Sequence, residues 1–408
     1  MVMTPIHSPE DSILAHYYIE TKQSLAQVAK TIAELETTGK WLGKGEPSEL
    51  FLESKGEVYD VQETAPGKGV ISILFPLSNL DLERAAFASV WLLLIGGATF
   101  ALVDYEKSRL LDFSLPGWAY RHFPGPKFGI RGTRKLLGMQ EGELIVGTIV
   151  KPTSGLTPEQ VAEMCYDAAM GGVRFIKDDE KMMNPAYCPL AKRVKLVAEG
   201  LKRAEDATGQ KVLYAPHITA GPERIKENAY IALENGATAL MLNFFAAGFG
   251  SLEMLARDPN INVPLYAHCG GREALGRAEG QGVAPNVIAK FARLAGGDYF
   301  RSGILGSYLV GTREEYMLIN ETLRAEIPGI VDAVPVLSGG LNPRNLGENL
   351  AAFGTEIIVL AGTGIFSHPM GTRGGVEAMK QAAEAHRLGI SPAEYARTHP
   401  ELAAALSL

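Results

Sequence analysis

Short apolar runs recur at regular intervals from residue 144 onward. Between them lie amphipathic stretches that close on glycine, such as PEQVAEMCYDAAMGG and PNVIAKFARLAGG. Strands buried in a parallel sheet have such continuous apolar runs, and helices connect them by right-handed crossovers. The eight runs are LIVGTIVKP from residue 144, VRFIKDDE from 173, VLYAPHIT from 212, ALMLNFF from 239, PLYAHC from 264, DYFRSG from 298, VPVLSGG from 334 and IIVLAGTG from 357. Eight evenly spaced βα units predict an α/β protein with a (β/α)8 barrel and disfavour an open doubly wound sheet.

The chain before the barrel has a different pattern, which predicts a smaller α+β domain of the ferredoxin-like type. ILAHYYIE at 13–20 alternates like a strand, and SLAQVAKTIAELETTG at 24–39 has helical spacing and ends at a glycine. GVISILFPL at 69–77 predicts a second strand. An apolar helix and then a third strand near 98–105 complete the expected order.

The border between the two predicted domains follows from composition. Residues 115–132, LPGWAYRHFPGPKFGIRG, are rich in proline and glycine and are typical of a connector. We therefore expect the α+β domain over residues 1–135 and the barrel, with C-terminal helices, over residues 136–408.

Residues 85–103, AAFASVWLLLIGGATFALV, form a charge-free stretch long enough to cross a membrane. Gly96 and Gly97 interrupt this stretch, and SNLDLE at 78–83 is typical of a helix start. A buried helix followed by a glycine turn explains the pattern better, so we expect no membrane partner.

Composition narrows the classes of function. The chain of 408 residues carries a formal net charge of −7, which argues against nucleic acid or an anionic membrane as a partner. Its three cysteines are odd in number and lack metal-binding spacing, which favours a reducing compartment. The N-terminal MVMTPIHSPEDS lacks the cationic and apolar segments of a signal peptide, so we expect a cytoplasmic protein.

Polar residues and glycines stand at the carboxyl ends of the eight predicted strands, where barrel active sites lie. They are Lys151, Lys177, Asp178, Asp179, Glu180, His217, Asn243, His268, Arg301, Ser338, Gly339, Gly340, Gly362, Thr363 and Gly364. The last two strands end in SGG and AGTG, and glycine lets backbone N–H groups approach an anion closely. Glycine turns alone are weak evidence, but after the last two strands of a barrel they favour a phosphate site.

The lysine and acids after the second barrel strand have two explanations. Lys177 and Asp179 share a face of the strand while Asp178 turns away, and Glu180 can swing back beside them. The cluster could be a surface salt bridge or a site for a hard cation such as Mg²⁺, which prefers carboxylate oxygens. The convergence of other polar strand ends on the same rim favours the cation site.

Several ordered motifs resemble the large subunit of ribulose-bisphosphate carboxylase. They are TIVKPTSGLT (148–157), GGVRFIKDDE (171–180), GGDYFRSG (296–303), PVLSGG (335–340) and AGTGIFSHPMG (361–371), and FPGPKFGI (123–130) resembles the connector of rubisco-like proteins. The resemblance covers nearly the whole chain. It implies that Lys177 reacts with CO₂ to form a carbamate, which binds Mg²⁺ together with Asp179 and Glu180. It also implies that Lys151 and His268 handle protons at an enediolate.

Departures from the carboxylase pattern imply a rubisco-like protein that does not fix CO₂. Two lysines, an arginine and a histidine of the carboxylases are replaced here by Thr153, Tyr308, Cys269 and Arg301. The family's TGTW is TGKW in this chain, with Lys40, and the glutamate before that motif is replaced by Leu35. Neither the family's asparagine nor the lysine of methionine-salvage enolases stands near Gly97 and Ala98.

The resemblance and its departures lead us to expect a Mg²⁺-dependent lyase that decarboxylates a phosphorylated 3-keto sugar acid to an enediolate. Arg301 and Arg272 could hold the substrate carboxylate, and Lys40 could reach the phosphate across the interface of a homodimer, where the active sites would lie. Enolisation or isomerisation without loss of carbon and retro-Claisen hydrolysis stay open as reactions. A binding or regulatory protein without turnover is the remaining alternative, which the presence of Lys177, Asp179 and Glu180 disfavours.

Overall fold

A computed structural model describes residues 6–102 and 104–408. The chain divides into two compact units. The N-terminal unit comprises the chain up to Pro124 together with Gly271–Leu294 and Glu326–Ile330. The barrel unit comprises Gly125–Gly270, Ala295–Ala325 and Val331–Leu408. The border expected at residue 135 stays a prediction, and no pattern in the sequence indicated that two later segments belong to the N-terminal unit.

Thirteen strands and eighteen helices are present in the described residues. The strands are β1 (Ser12–Thr21), β2 (Glu57–Ala65), β3 (Lys68–Pro76), β4 (Tyr105–Ser114), β5 (Ile145–Ile149), β6 (Phe175–Lys177), β7 (Leu213–Ala215), β8 (Leu240–Asn243), β9 (Leu265–His268), β10 (Gly282–Val283), β11 (Tyr299–Arg301), β12 (Val334–Leu337) and β13 (Ile358–Leu360). The helices are α1 (Leu25–Leu35), α2 (Glu49–Glu53), α3 (Leu82–Leu94), α4 (Gly97–Phe100), α5 (Gly129–Leu137), α6 (Pro158–Gly171), α7 (Leu190–Thr208), α8 (Pro222–Glu234), α9 (Phe244–Ala247), α10 (Phe249–Arg257), α11 (Arg272–Gly276), α12 (Pro285–Leu294), α13 (Arg313–Arg324), α14 (Pro343–Phe353), α15 (Thr363–Phe366), α16 (Gly371–Arg387), α17 (Pro392–Tyr395) and α18 (Pro400–Ser407). Two 3₁₀ turns lie at Leu77–Asn79 and Gly117–His122.

The N-terminal unit contains a five-stranded sheet in the order β10-β4-β1-β3-β2. The strands β1 to β4 pair antiparallel, and β10 joins β4 in parallel. The order of β1 to β4, with helices after β1 and β3, is that of a ferredoxin-like fold and confirms the expected α+β class. The strands β2 and β10 were not predicted, because β2 buries no side chain and β10 has only two residues.

The prediction of a strand near residues 98–105 is wrong. Gly97–Phe100 form α4, and β4 begins at Tyr105; Val103 lies outside the described residues. A carboxylate oxygen of Glu36 accepts hydrogen bonds from the backbone N–H and the hydroxyl of Thr99, at 2.7 and 2.9 Å. The side chain of Glu36 thus satisfies an N-terminal amide of this helical turn, which stabilises the turn over a strand.

The apolar stretch before that turn was expected to be a buried helix. By length and composition alone, Leu82–Phe100 could cross a membrane. The structure divides it into α3, with 13 residues, and the four-residue α4. Because a helix rises 1.5 Å per residue, α3 spans about 20 Å, well short of the ~30 Å hydrocarbon core of a bilayer. One face of α3, including Phe87 and Val90, is buried, as in a core helix.

The aromatic core of the N-terminal unit is completed by a segment from later in the chain. Phe291 of α12 lies 5.1 Å from Phe87, 4.9 Å from Trp91 and 4.7 Å from Phe113, measured between ring centres. The same helix begins beside Asn286, whose amide donates to the backbone carbonyl of Leu111 at 2.9 Å. The segment after β9 is therefore an integral part of this unit.

The barrel unit contains all eight predicted strands. They form one parallel sheet in the order β7-β6-β5-β13-β12-β11-β9-β8. A parallel bridge between His217 and Met241 joins the two end strands, so the sheet closes into a barrel. Large side chains such as Phe175, Tyr266 and Tyr299 fill its interior. The carboxyl ends of the strands meet at one rim, as predicted.

Candidate active site

The acidic cluster is built on the end of β6. Lys177 is the last residue of the strand, and three carboxylates follow it, Asp178, Asp179 and Glu180. The Nζ of Lys177 donates to the backbone carbonyl of Asp178 at 3.0 Å and lies 5.6 Å from the ring centre of Tyr266. Burial lowers the pKa of Lys177, although Glu180 and Asp179 act in the opposite direction. A lowered pKa increases the fraction of neutral amine, which is the form that attacks CO₂.

Lys151, at the end of the neighbouring β5, contacts this cluster directly. Its Nζ lies 2.5 Å from Asp179 Oδ2 and 3.0 Å from the hydroxyl of Thr153. A Cβ added to Gly362 would lie 3.2 Å from Cγ of Lys151 and 3.4 Å from the Ile149 carbonyl. The glycine that we expected at a phosphate site therefore also leaves room for the lysine.

His268, at the end of β9, faces the other acid of the cluster. The backbone N–H of Gly270 donates to Nδ1 at 3.2 Å, so the ring proton is assigned to Nε2, which lies 3.6 Å from Glu180 Oε2. Burial lowers the pKa of His268 well below its ordinary value, and the charge of Lys177 acts in the same direction. The side chain of Asn243 donates to the Gly270 carbonyl at 3.1 Å and so braces the histidine loop.

Asp178 points away from the other acids, into the barrel wall. One carboxylate oxygen accepts from the Tyr214 hydroxyl at 2.8 Å. The other accepts from the backbone N–H of His217 and from the guanidinium of Arg193, each at 3.1 Å. Burial lowers the pKa of His217 to about 3, with a further contribution from the charge of Lys177. Through its backbone N–H, His217 thus belongs to the support of Asp178.

The two glycine turns lie beside each other and beside Arg301. Gly339 and Gly340 have φ of 104° and 98°, a backbone conformation that L side chains rarely adopt. A Cβ added to Gly339 would lie 3.9 Å from Nη1 of Arg301, and one added to Gly340 would lie 3.0 Å from the ring of Tyr308. The AGTG turn packs here too, since a Cβ on Gly364 would lie 3.1 Å from the carbonyl after the SGG turn. Thr363 begins α15 in that turn, and Ser338 is buried in the other.

Two residues expected to bind substrate belong to the N-terminal unit. Lys40 is exposed, so its role stays a prediction. Arg272 is buried and donates to Glu273 at 3.1 Å. Leu35, which we took to replace the family's glutamate, is followed by a carboxylate. That residue, Glu36, is half-buried, and burial raises its pKa.

Arg193 of α7, which was not predicted, supports the cluster through Asp178. The buried face of this helix reads Leu190, Arg193, Val194 and Val197, so a charge stands in an apolar stripe. Such a charge is rarely buried without a partner. Helical periodicity could therefore have indicated Arg193, but not its partners.

The donor set agrees with a carbamate-completed magnesium site. Within residues 6–102 and 104–408, no three His, Cys, Asp or Glu side chains form a group that could hold a metal. Asp179 and Glu180, which follow the buried Lys177 in the chain, can supply two carboxylate groups as oxygen donors. A carbamate on that lysine would supply a third anionic oxygen ligand in place of an ammonium group that would repel the cation.

The fold and this rim define a barrel of the rubisco type with a ferredoxin-like N-terminal domain. Residues 4–119 match the model of the ribulose bisphosphate carboxylase large chain, N-terminal domain, and residues 129–408 match that of its catalytic domain. The chain belongs to the ribulose bisphosphate carboxylase large-chain family, whose members are enzymes that use Mg²⁺ with a carbamylated lysine.

Individual relatives are similar over almost the whole chain. A 3-oxo-isoapionate-4-phosphate decarboxylase of Rhizobium rhizogenes is 34% identical, with 97% of this chain and 98% of the relative covered. The octameric ribulose-1,5-bisphosphate carboxylase/oxygenase of Pyrococcus horikoshii has a TM-score of 0.92 at 28% identity, with 98% of this chain and 94% of that one covered. The rubisco-like protein MtnW of Alicyclobacillus acidocaldarius has a TM-score of 0.88 at 31% identity, with coverage of 98% and 99%. The resemblance to rubisco-like proteins is thereby confirmed.

Proposed function

We propose that the protein is a Mg²⁺-dependent decarboxylase of a phosphorylated 3-keto sugar acid. The observation that carries this proposal is the buried Lys177 at the end of β6, directly before the acids Asp178, Asp179 and Glu180, with Lys151 in contact with Asp179. The similarity to a 3-oxo-isoapionate-4-phosphate decarboxylase over nearly its full length supports the same substrate class.

The carbamate of Lys177, Asp179 and Glu180 would hold the magnesium ion. When bound, Mg²⁺ supplies the positive charge that stabilises an enediolate. The buried ring of Tyr266, with its centre 5.6 Å from Nζ of Lys177, belongs to the surroundings that bury this amine. Asp178 does not take part in this set, since Arg193, Tyr214 and His217 occupy its oxygens.

Decarboxylation breaks the bond between the carboxylate carbon and the carbon beside the keto group. CO₂ leaves, and the electron pair of that bond forms the enediolate. A proton must then be added to the carbon. Lys151 is placed to deliver it, because its ammonium is held at the rim by Asp179 and Thr153. His268 is the second candidate, with its Nε2 proton directed towards Glu180.

The remaining rim residues suit the two anionic ends of such a substrate. Backbone amides at Ser338, Gly339, Gly340, Gly362, Thr363 and Gly364 would bind the phosphate. Arg301 lies beside this region, and its guanidinium can hold a carboxylate through two parallel hydrogen bonds. Lys40 would complete the phosphate site from the partner copy of a homodimer. We also propose that the enzyme is cytoplasmic.

Release of CO₂ tests the proposal directly. We expect 3-oxo-isoapionate 4-phosphate to lose CO₂ with Mg²⁺ and bicarbonate present, and Lys177→Met to reduce turnover to background, because the third anionic ligand is lost. The rate of CO₂ release, with EDTA as the metal-free control, is the measurement. Absence of CO₂ release by the wild-type protein at every Mg²⁺ concentration would contradict the proposal.

Enolisation without loss of carbon is the second candidate, because the contact of Lys151 with Asp179 places a proton-transfer group beside the same acids. The same lysine and acids would then stabilise an enediolate formed by removal of a proton. Incorporation of solvent deuterium into a phosphorylated ketose, with no CO₂ released, would favour this reaction over decarboxylation.

A further inference from the structure

Arg193 is a fully buried cation outside the expected catalytic set. It lies in the first turn of α7, on the face that packs into the barrel unit. Its guanidinium makes five hydrogen bonds or ion-pair contacts of 2.7 to 3.2 Å. The acceptors are the Asp178 carboxylate, through Nε and Nη2, and the backbone carbonyls of Met182, Met183 and Cys188.

These acceptors enclose the loop that carries the metal ligands. Asp178 immediately precedes Asp179 and Glu180, and the three carbonyls belong to residues 182–188, which immediately follow Lys181. Arg193 therefore binds the chain before and after the two acids. The far side of Asp178 is fixed as well, by the Tyr214 hydroxyl and the His217 amide.

The geometry requires an arginine. A buried ion pair stabilises a structure only when its remaining hydrogen-bonding groups are satisfied, and the planar guanidinium can meet one carboxylate and three carbonyls at once. The ammonium of a lysine has three donors on one atom and cannot span these acceptors, which lie along several residues of the loop.

We propose that Arg193 is a positioning residue that sets the directions of Asp179 and Glu180 for cation binding. It acts through Asp178 and the loop 181–188, without contact to the reacting atoms. This inference rests on the proposed magnesium site. It adds that the affinity and symmetry of that site depend on a side chain outside it, as second-shell groups of metal sites usually do.

Arg134 offers a matched control in the same unit. It is also buried, and its guanidinium binds the carboxylate of Glu356 at 2.5 Å and the backbone carbonyls of Glu143 and Thr355 at 2.9 and 3.2 Å. These partners precede β5 and β13, at the amino ends of the strands. Arg134→Lys thus removes an equivalent clamp at the end of the barrel that lacks the acidic cluster.

The experiment titrates Mg²⁺ into wild type, Arg193→Lys and Arg134→Lys with ¹³C-bicarbonate and follows the carbamate signal of Lys177 by NMR. Electron paramagnetic resonance of bound Mn²⁺ reports the symmetry of the ligand set. We expect both variants to unfold at lower temperature. Only Arg193→Lys should need about 10 to 100 times more Mg²⁺ for half-maximal carbamate and show altered zero-field splitting of Mn²⁺.

Tyr214→Phe covers the case in which Arg193→Lys does not fold. It removes one hydrogen bond to Asp178 and keeps the ring, so we expect a several-fold higher Mg²⁺ requirement with the fold intact. Unchanged Mg²⁺ dependence and Mn²⁺ spectra in the folded variants would overturn the role of Arg193 and leave the magnesium site standing. A wild-type protein that forms no carbamate would overturn the proposed function itself, and the positioning role with it.

Discussion

Two buried aspartates at opposite ends of the barrel strands are held in different ways. Asp178, after β6, is held by an arginine, a tyrosine hydroxyl and one backbone amide. Asp298, directly before β11, is held by backbone amides of Phe128, Gly129 and Leu265 at 2.7 to 3.2 Å. The first supports neighbours that we propose as metal ligands, and the second joins α5 and β9 to the amino end of a strand. The proposed function thus assigns catalysis to the carboxyl ends of the barrel strands and leaves the amino ends to stability.

Among the substitutions that test this difference between the two barrel ends, replacement of Lys151 should have the largest effect on turnover. We expect Lys151→Met to lower turnover by about 100- to 10,000-fold, because the proton carrier at the rim is lost. Half-saturating Mg²⁺ should fall, since the ammonium no longer neutralises Asp179. Steady-state kinetics and the Mg²⁺ dependence of carbamate formation measure the two effects. Turnover within tenfold of wild type would remove Lys151 from the reaction.

Asp298→Asn should affect stability and leave turnover per folded molecule unchanged. An amide presents an N–H₂ group to one of the backbone donors, which should lower the free energy of unfolding by about 1–3 kcal/mol. Denaturant unfolding and the activity of the folded fraction are the measurements. A large loss of turnover in the folded variant would contradict the assignment of catalysis to one end of the barrel and stability to the other.

The pH dependence of the free energy of unfolding, compared between wild type and Asp298→Asn, tests whether Asp298 titrates. Burial raises the pKa of Asp298 to about 6 from an ordinary value of 3.8. A carboxyl group with a raised folded-state pKa stabilises the protein at low pH and loses that contribution as the pH rises through about 6. The free energy of unfolding of wild type, relative to Asp298→Asn, should therefore fall by roughly 1 kcal/mol between pH 5 and 7.5. A difference independent of pH would show that Asp298 does not titrate in this range.

Gly362→Ala should have the smallest effect, confined to the rim. The new methyl group would lie 3.2 Å from Cγ of Lys151, so the lysine must shift, and we expect kcat to fall about tenfold with little change in unfolding temperature. Gly250→Ala is the control, because a Cβ there has no neighbour within 4 Å. Equal kinetics of the two variants would show that Lys151 tolerates displacement.

The barrel could be predicted because buried parallel strands leave continuous apolar runs that end in polar residues. The polar residues at the carboxyl ends of the strands could be predicted for the same reason. The structure brings four of them together, namely Lys151, Asp179, Glu180 and His268. The prediction of a strand near 98–105 was wrong, because this segment forms a helical turn instead. That turn is stabilised by Glu36, which is distant in sequence. The contact between Lys151 and Asp179 was also out of reach, since the sequence shows that both stand at the rim but not which partner each chooses.

The hydrogen bonds of Arg193 show more clearly which contacts cannot be predicted from the sequence. Its place in the apolar stripe of α7 indicates a buried charge, and alternation along β6 turns Asp178 inward. Three of its partners are backbone carbonyls, which every residue possesses and which no sequence pattern distinguishes. Support of this kind becomes visible only when the loop is folded.

The segment from Gly271 to Leu294 has a consequence for the order in which the chain is synthesised. Phe291 completes the aromatic core around Phe113, and 291 − 113 = 178 residues, Phe291 included, are translated after Phe113 before this core is complete. At about 5–20 residues per second this takes roughly 10 to 40 seconds, during which the nascent N-terminal unit lacks α12 and β10. A fragment that ends near Pro124 would expose Phe87, Trp91 and Phe113 permanently, so this unit cannot be excised as a contiguous piece.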